Sequence, residues 1–243
     1  MSYKVLIPSA GLGSRVDNYT KYTNKALISI GKKPAICHVI EKFNKNTEIL
    51  ILIGYKGDQV EEVITAFYPE RKISFIKIDK FEGSGSGLGY SLLKAKEELQ
   101  CPFIFIPNDT IIVDDDIEMD PNTYGNWVGY YDKIDNDGYD IRSYRTINLS
   151  QDSKNVAQLN AKGVLSDHIY TGLCGIKDFQ KFWSLMETRE DAISVGESLA
   201  IQNLENVLAF KFMNWLDCGS PTALQKAKDV LKNNEANILD KED

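Results

Sequence analysis

One stretch of the sequence limits the possible folds more than any other, the aliphatic run Ile49-Leu50-Ile51-Leu52-Ile53. A strand with one face in water alternates apolar and polar residues, whereas a strand covered on both faces is apolar throughout. The run is therefore typical of a central strand in a sheet with helices on both sides. It is also far shorter than the roughly 20 residues that a transmembrane helix requires.

The first 110 residues repeat a strand–helix pattern around this run. Strands are predicted at residues 5–8, 49–53, 73–78 and 103–106, and helices at 34–43, 58–67 and 88–99. Such alternation predicts a parallel sheet whose crossover connections are right-handed.

After Asp109 the pattern changes. Mixed or antiparallel strands are predicted at 127–131, 139–149, 169–176 and 208–212, and helices at 179–186, 198–204 and 221–231. Acidic, turn-rich segments lie at 114–116 and 132–140. We predict an α/β fold with a mixed, mostly parallel sheet flanked by helices, formed by a single domain over residues 1–232 and followed by a polar tail at 233–243.

The overall charge and the cysteine pattern exclude several classes of protein. The formal net charge of -7 argues against binding to nucleic acid or to an anionic membrane. The four cysteines lack the spacing of zinc or redox motifs, and no apolar signal segment follows Met1, so we expect a cytoplasmic protein with reduced thiols. With only two histidines in the chain, any bound metal must be held by carboxylates, which makes Mg²⁺ the expected ion.

A glycine-containing loop, Ala10-Gly11-Leu12-Gly13-Ser14-Arg15, directly follows the first strand. Glycines allow backbone N–H groups to approach an anion closely, and Arg15 and the later Lys25 add positive charge. The loop is neither a P-loop nor a dinucleotide-binding fingerprint, because it lacks the lysine and the third glycine that these motifs require. A simple turn with solvated cations remains an equal alternative on spacing alone.

Two further features could bind a ligand. The segment 82–89 contains four glycines before a predicted helix, where backbone N–H groups could contact a ligand, although taken alone it is better explained as a flexible surface loop. Asp109 and Asp217 each follow a predicted strand, so they could share one metal ion or simply cap the next helix. The run Asp114–Asp116 is interpreted as a solvated turn.

Taken in order along the chain, these motifs resemble the sugar-1-phosphate nucleotidyltransferase superfamily over residues 3–230. The matching segments are 10–15, 24–27, 31–34, 54–57, 86–88, 108–109, 170–173 and 215–219. The resemblance implies a GT-A-like (Rossmann-like) fold that joins a phosphorylated acceptor to a nucleoside triphosphate with loss of pyrophosphate.

The resemblance also implies roles for individual residues. Arg15 and Lys25 would be catalytic, with Arg15 on the β- and γ-phosphates and Lys25 on the α-phosphate, and Asp109 and Asp217 would hold Mg²⁺. Nucleotide-binding residues would be Ala10, Gly11, Gly13, Ser14, Glu82, Gly83, Ser86, Gly87 and Asn108. Acceptor-binding residues would be Tyr144, Lys162, Thr171, Gly172 and Glu197.

The acceptor is the least defined part of this interpretation. The Glu-Lys-Pro segment that holds the sugar phosphate in many relatives is not evident, and Lys162 takes about its place. Only five arginines occur in the chain, and two of them, Arg142 and Arg145, lie in the half expected to close over the acceptor with Tyr139, which suggests an anion or carboxylate there. A solvated strand edge remains the alternative for each of these residues.

We therefore expect a cytidylyltransferase that joins CTP to a small phosphorylated acceptor for capsule or cell-surface polysaccharide biosynthesis. The acceptor would be a sugar 1-phosphate or a phosphocholine- or phosphoglutamine-like compound, and a homodimer is a candidate assembly. The alternatives are a UTP- or dTTP-dependent enzyme of the same kind, a GT-A glycosyltransferase that uses Asp114–Asp116 for its metal, and a non-catalytic nucleotide-sensing module.

Overall fold

The computed structural model describes residues 2–113, 117, 119–133 and 138–239. The acidic run Asp114–Asp116, which the glycosyltransferase alternative needs, lies outside the described residues, as do positions 134–137. None of the helices in the described part of the chain combines the length and the apolar character that a transmembrane helix requires.

The described residues form strands and short helices that alternate along the chain. The strands are β1 (Lys4–Ser9), β2 (Ser29–Ile30), β3 (Lys33–Pro34), β4 (Glu48–Ile53), β5 (Ile73–Lys77), β6 (Phe103–Phe105), β7 (Thr110–Ile112), β8 (Trp127–Asp132), β9 (Thr146–Leu149), β10 (Val156–Leu159), β11 (His168–Ile176), β12 (Leu208–Lys211) and β13 (Trp215–Asp217). The α-helices are α1 (Asp17–Thr20), α2 (Ala35–Ile40), α3 (Gly57–Phe67), α4 (Leu88–Lys94), α5 (Pro121–Tyr124), α6 (Phe179–Thr188), α7 (Ala192–Val195), α8 (Glu197–Ile201) and α9 (Pro221–Leu239). Single 3-10 turns lie at Ser14–Val16, Lys25–Leu27, Lys96–Leu99 and Ile141–Ser143.

The central sheet has the order β10-β9-β11-β6-β1-β4-β5, and β8 with its neighbour β12 branches from β11. Strands β6, β1, β4 and β5 are parallel to one another, as the strand–helix alternation predicts. Strand β11 runs antiparallel to β6, β8 and β9, so the second half of the sheet is mixed. The predicted single-domain α/β fold is confirmed.

The aliphatic run of β4 lies in the core on both of its faces. Ile49, Ile51 and Ile53 pack with residues of α2 and α3 in one buried cluster. Leu50 and Leu52 pack with residues of α4 and α6 in a second cluster on the opposite face. Because every side chain of the run is buried, no position on this strand requires a polar residue.

Several predicted boundaries differ from the structure. The strand predicted over residues 139–149 is confined to β9, because Asp140 accepts a hydrogen bond from the Arg142 backbone N–H and starts a 3-10 turn there. The last helix continues past residue 231 to Leu239, so the predicted polar tail is helical as far as that residue. The three-residue strands β7 and β13 have no counterpart in the sequence prediction, and both lie beside the candidate site.

Candidate active site

A cleft of about 600 Å³ opens at the carboxyl ends of β1 and β6, the edge where open α/β sheets bind ligands. The loop after β1, the start of α4, the segment after β6 and part of β11 form its walls. Predicted site residues that line it are Ala10, Gly11, Gly13, Ser14, Arg15, Lys25, Ser86, Gly87, Asn108, Asp109, Tyr144, Lys162, Thr171, Gly172, Glu197 and Asp217. The structure thus brings together residues that are far apart in sequence.

Two predicted nucleotide-binding residues, Glu82 and Gly83, are not among those that line the cleft. The loop folds on itself there, because Ser86 donates from its backbone N–H and from its hydroxyl to the Gly83 carbonyl. This leaves the later part of the loop, Ser86 and Gly87, at the cleft wall. Phe81 and Ser91 also line the cleft, although the sequence analysis did not select them.

One buried amide, that of Asn24, positions the turn that carries Lys25. Asn24, fully buried, donates to the Ser9 carbonyl at 3.0 Å and to the Tyr55 carbonyl at 2.6 Å. Its side-chain oxygen accepts a hydrogen bond from the Ala26 backbone N–H and so caps the 3-10 turn that begins with Lys25. Asn24 therefore fixes the position of Lys25 against the end of β1. Its place directly before a helical turn is the sequence signal that identifies such a cap.

Gly13 allows the glycine loop to approach Lys25. Its φ of +69° lies in the left-handed region, and a Cβ there would stand 2.9 Å from Thr20 Cγ2 and 3.1 Å from Lys25 Cβ. A side chain at this position would thus push the loop away from Lys25. The loop closes into the following 3-10 turn through a hydrogen bond from the Val16 N–H to the Gly13 carbonyl.

The antiparallel pair β7–β13 brings the two predicted metal ligands together. In the register of this pair, Asp217 lies opposite Thr110, the residue that directly follows Asp109 in the chain. The Cys218 backbone N–H donates to the Asp109 carbonyl at 2.9 Å and extends the pairing by one step. A Cβ at Gly219 would lie 2.9 Å from Asp217 Oδ1 and 3.2 Å from Asp109 Oδ2, so both carboxylates border one small space that this glycine keeps open.

Lys25 and Arg15 approach the same space. The Lys25 ammonium is paired with Asp109 Oδ2, and Arg15 Nη2 lies 3.9 Å from that oxygen. Burial alone would raise the pKa of Asp109, but the charge and hydrogen bond of Lys25, with a smaller contribution from Arg15, hold this pKa below its usual value. Asp109 is therefore ionised at neutral pH.

The pKa of Asp217 shifts in the opposite direction, although Lys25 and Arg15 act on it as well. Burial, together with the negative charge of Asp109, raises the pKa of Asp217 to about 6. Tyr144 Oη donates a hydrogen bond to Asp217 Oδ2 at 2.9 Å, and the Asp217 backbone N–H donates to Tyr139 Oη at 3.3 Å. Both tyrosine rings pack against Trp215, so a rigid aromatic group holds this carboxylate.

We expect Tyr144→Phe to weaken binding of a divalent cation about tenfold, because residues that hydrogen-bond a metal-ligating carboxylate typically contribute ten- to a hundredfold to metal affinity. The variant keeps the ring that packs on Trp215 and removes only the hydroxyl that holds Asp217. Calorimetric titration of Mg²⁺ and Mn²⁺ into both proteins measures the effect. Unchanged affinity for the cation would contradict a role of Tyr144 in positioning Asp217. The sequence-based prediction that Tyr144 binds the acceptor would then remain.

The cleft lining also contains Glu197 and Lys162, which the sequence assigns to the acceptor, together with Arg145. Glu197 begins α8, is 6% exposed, and accepts a hydrogen bond from Tyr170 Oη on its Oε1 at 3.3 Å. Burial raises the pKa of Glu197 to about 7, although the positive charge of Arg145 opposes the shift. Arg142 does not reach the cleft lining, because it pairs with Asp140 at the surface.

The raised pKa of Glu197 gives a stability prediction. Between pH 4.5 and pH 7 the folded protein retains a proton that the unfolded chain has released, so the free energy of unfolding falls as pH rises, by about 3 kcal/mol in total. Glu197→Gln removes the titrating carboxyl group. We therefore expect the free energy of unfolding of the variant to rise relative to that of the wild type by about 3 kcal/mol between pH 4.5 and pH 7. Urea unfolding of both proteins at several pH values measures it, and a difference that stays constant with pH would contradict it.

The donor set fits a hard divalent cation. Two carboxylates border one space, and Mg²⁺ in phosphate-handling sites is bound by one or two carboxylates with phosphate and water oxygens completing its octahedron. Among the residues that the structure describes, no group of three or more His, Cys, Asp or Glu side chains could hold a metal ion. Arg15 and Lys25 beside this space supply the positive charge that a polyphosphate requires.

The chain is similar to known proteins, although no protein-family model matches it. It is 32% identical to the bifunctional protein GlmU of Methanococcus vannielii over 61% of this chain and 33% of that protein. It is 31% identical to the choline-phosphate cytidylyltransferase of Streptococcus pneumoniae over 42% of each chain. These matches span about a third to two fifths of the length of the relatives.

The fold has counterparts among solved structures. The CTP:phosphocholine cytidylyltransferase from Streptococcus pneumoniae superposes with a TM-score of 0.77 over 95% of this chain and 100% of that one, at 20% identity. At this level of identity the match establishes the fold alone. The resemblance to the sugar-1-phosphate nucleotidyltransferases and the GT-A-like fold, both predicted from the sequence, are confirmed.

Proposed function

We propose that the chain is a Mg²⁺-dependent nucleotidyltransferase, and that it joins CTP to a small phosphorylated acceptor with release of pyrophosphate. The observation that carries the proposal is the convergence of Asp109, Asp217, Arg15 and Lys25 on one space at the carboxyl edge of the sheet. The similarity to GlmU and to a choline-phosphate cytidylyltransferase supports nucleotidyl transfer as the class of reaction. A role in capsule or cell-surface polysaccharide biosynthesis is part of the proposal.

The reaction is an in-line attack by an acceptor phosphate oxygen on the α-phosphorus of the triphosphate, with pyrophosphate as the leaving group. The nucleophile is already ionised at neutral pH, so the chain need not provide a general base. Both reactants are anionic, and the rate depends on cations that hold them together in the correct orientation. A bound Mg²⁺ would neutralise phosphate charge at the two carboxylates.

The chain's own residues divide this work by position. Lys25 is paired with Asp109 at the centre of the site and can transfer its contact to the α-phosphate as charge builds up there. Arg15 is more exposed and lies at the edge of the glycine loop, where it binds the β- and γ-phosphates and stabilises the departing pyrophosphate. Backbone N–H groups of the loop from Gly11 to Ser14 add uncharged donors for the same phosphates.

CTP is the favoured donor because a choline-phosphate cytidylyltransferase is among the homologues. The alternative is UTP or dTTP, since the cleft wall at Ser86 and Gly87 offers mainly backbone groups to a base. Pyrophosphate release with CTP, UTP, dTTP, GTP and ATP, each paired with glucose 1-phosphate, phosphocholine, glucuronic acid 1-phosphate or phosphoserine, tests the assignment. A purine triphosphate that is preferred by tenfold or more would contradict a pyrimidine donor, and no release with any pair would contradict nucleotidyl transfer.

A further inference from the structure

The acceptor side of the cleft carries more positive charge than the chain neutralises. Arg145 and Lys162 both line the cleft, and no carboxylate in the described part of the chain lies within ion-pair distance of either. Partial desolvation, together with the charges of Arg15 and Arg145, lowers the pKa of Lys162 below its usual value. These cations therefore repel one another until anions bind between them.

Arg145 and Lys162 serve different parts of this space. Lys162 lines the cleft with Asp109 and Asp217, and the negative charges of these two carboxylates partly oppose the lowering of its pKa by burial, Arg15 and Arg145. Arg145 acts instead on Glu197. Its carbonyl accepts a hydrogen bond from the Tyr170 N–H at 2.9 Å, and the Tyr170 hydroxyl donates to Glu197, so the backbone fixes Arg145 beside Glu197.

This arrangement separates two anion positions along the acceptor. The acceptor phosphate has to reach the α-phosphorus beside Lys25, so Lys162 is the cation placed to meet it. Arg145 lines the same cleft and its backbone pairs with Tyr170, so we assign it to the remainder of the acceptor. A half-buried guanidinium with no described carboxylate at ion-pair distance presents a planar pair of donors that matches a carboxylate.

We infer that the acceptor bears a carboxylate in addition to its phosphate, and that Arg145 binds this carboxylate. The inference rests on the proposed function, because it concerns the acceptor of that reaction. It defines a substrate class, the phosphorylated amino acids and uronic acids, that the assignment of nucleotidyl transfer leaves open. Neutral sugar phosphates and phosphocholine fall outside this class.

Arg142 provides a matched control within the same segment of the chain. It lies three positions before Arg145 but pairs with Asp140 at 3.0 Å, and its side chain is 73% exposed. Arg142→Gln removes the same charge without changing the cleft lining. Arg145→Gln removes the proposed carboxylate contact, and Arg145→Lys retains the charge while losing the planar pair of donors.

The test compares acceptors that differ only in a carboxylate. Phosphoserine and phosphoethanolamine form one pair, and glucuronic acid 1-phosphate and glucose 1-phosphate form the other. For each protein, kcat/KM is measured by pyrophosphate release with the best triphosphate, and the acceptor Kd is measured by calorimetry. In at least one pair, we expect the wild type to favour the carboxylate-bearing member by about tenfold or more, the contribution of one charged hydrogen-bonded pair.

The variants decide which group Arg145 contacts. We expect Arg145→Gln to reduce the ratio within the pair to near one, Arg142→Gln to leave it unchanged, and Arg145→Lys to restore part of it. The inference is overturned if Arg145→Gln weakens both members equally, which would place Arg145 on the phosphate, or if the wild type binds neither carboxylate-bearing compound. Failure of every acceptor to release pyrophosphate would instead contradict the proposed function, while the Kd values still report on Arg145.

Discussion

Asp217→Asn is expected to lower kcat by about 100-fold or more, the loss typical of one strong transition-state contact. The substitution removes a charge but keeps the shape of the side chain, and its oxygen can still accept the hydrogen bond from Tyr144. The β7–β13 pairing that carries this residue uses backbone groups, so it should persist. The loss would therefore report on the carboxylate itself rather than on the fold.

Asp58→Asn is the matched control, because its carboxylate is 91% exposed and pairs with Lys77 on the surface. This variant should retain wild-type turnover and metal affinity. In Asp217→Asn, calorimetry should show that Mg²⁺ binding is weakened in parallel with kcat, with the melting temperature little changed. Turnover within a few-fold of the wild type would exclude the two-carboxylate site and leave Asp217 as a structural residue at the end of a strand.

Lys25→Ala should also cost about 100-fold or more, mainly in kcat, because its contact with the α-phosphate strengthens as the transition state forms. The Lys25 side chain is 13% exposed and pairs with Asp109. Its loss removes the largest influence that lowers the pKa of that carboxyl. Steady-state kinetics against the triphosphate separates the effect on kcat from that on KM.

Arg15→Ala should behave differently, since a contact with the outer phosphates contributes to triphosphate binding as well as to pyrophosphate departure. We expect both KM and kcat to worsen in this variant. Lys77→Ala is the control, because its ammonium is exposed and pairs with the surface carboxylates of Asp58 and Glu61. Full activity in Arg15→Ala would mean that the loop from Gly11 to Arg15 is no more than a turn.

The sequence predicted the parallel half of the fold because its signals are local. The aliphatic run 49–53 identifies a strand buried on both faces, and the structure divides its residues between two clusters on opposite sides of the sheet. The helical spacing of residues 58–67 similarly matches α3. Such patterns depend only on which positions are buried, and the order of apolar and polar residues along the chain shows this directly.

The meeting of Asp109 and Asp217 could not be predicted from spacing, because it depends on long-range pairing between the three-residue strands β7 and β13. Strands of this length carry too little pattern to be recognised. The different positions of Arg142 and Arg145 could not be predicted either, and the sequence analysis treated these two arginines alike. A hydrogen-bonded turn at Asp140 keeps the first at the surface, and pairing next to β11 directs the second to the cleft.

The central claim is nucleotidyl transfer, and the most direct test follows the α-phosphate itself. The purified protein is incubated with α-³²P-labelled CTP, Mg²⁺ and each phosphorylated acceptor, and the products are separated alongside a pyrophosphate assay. The account predicts that label moves from CTP to a cytidine diphosphate-linked product in a one-to-one ratio with pyrophosphate, and that Asp217→Asn slows both about 100-fold or more. Hydrolysis of CTP without a labelled conjugate would contradict nucleotidyl transfer, and conjugate formation at the wild-type rate in Asp217→Asn would contradict the role of Asp217.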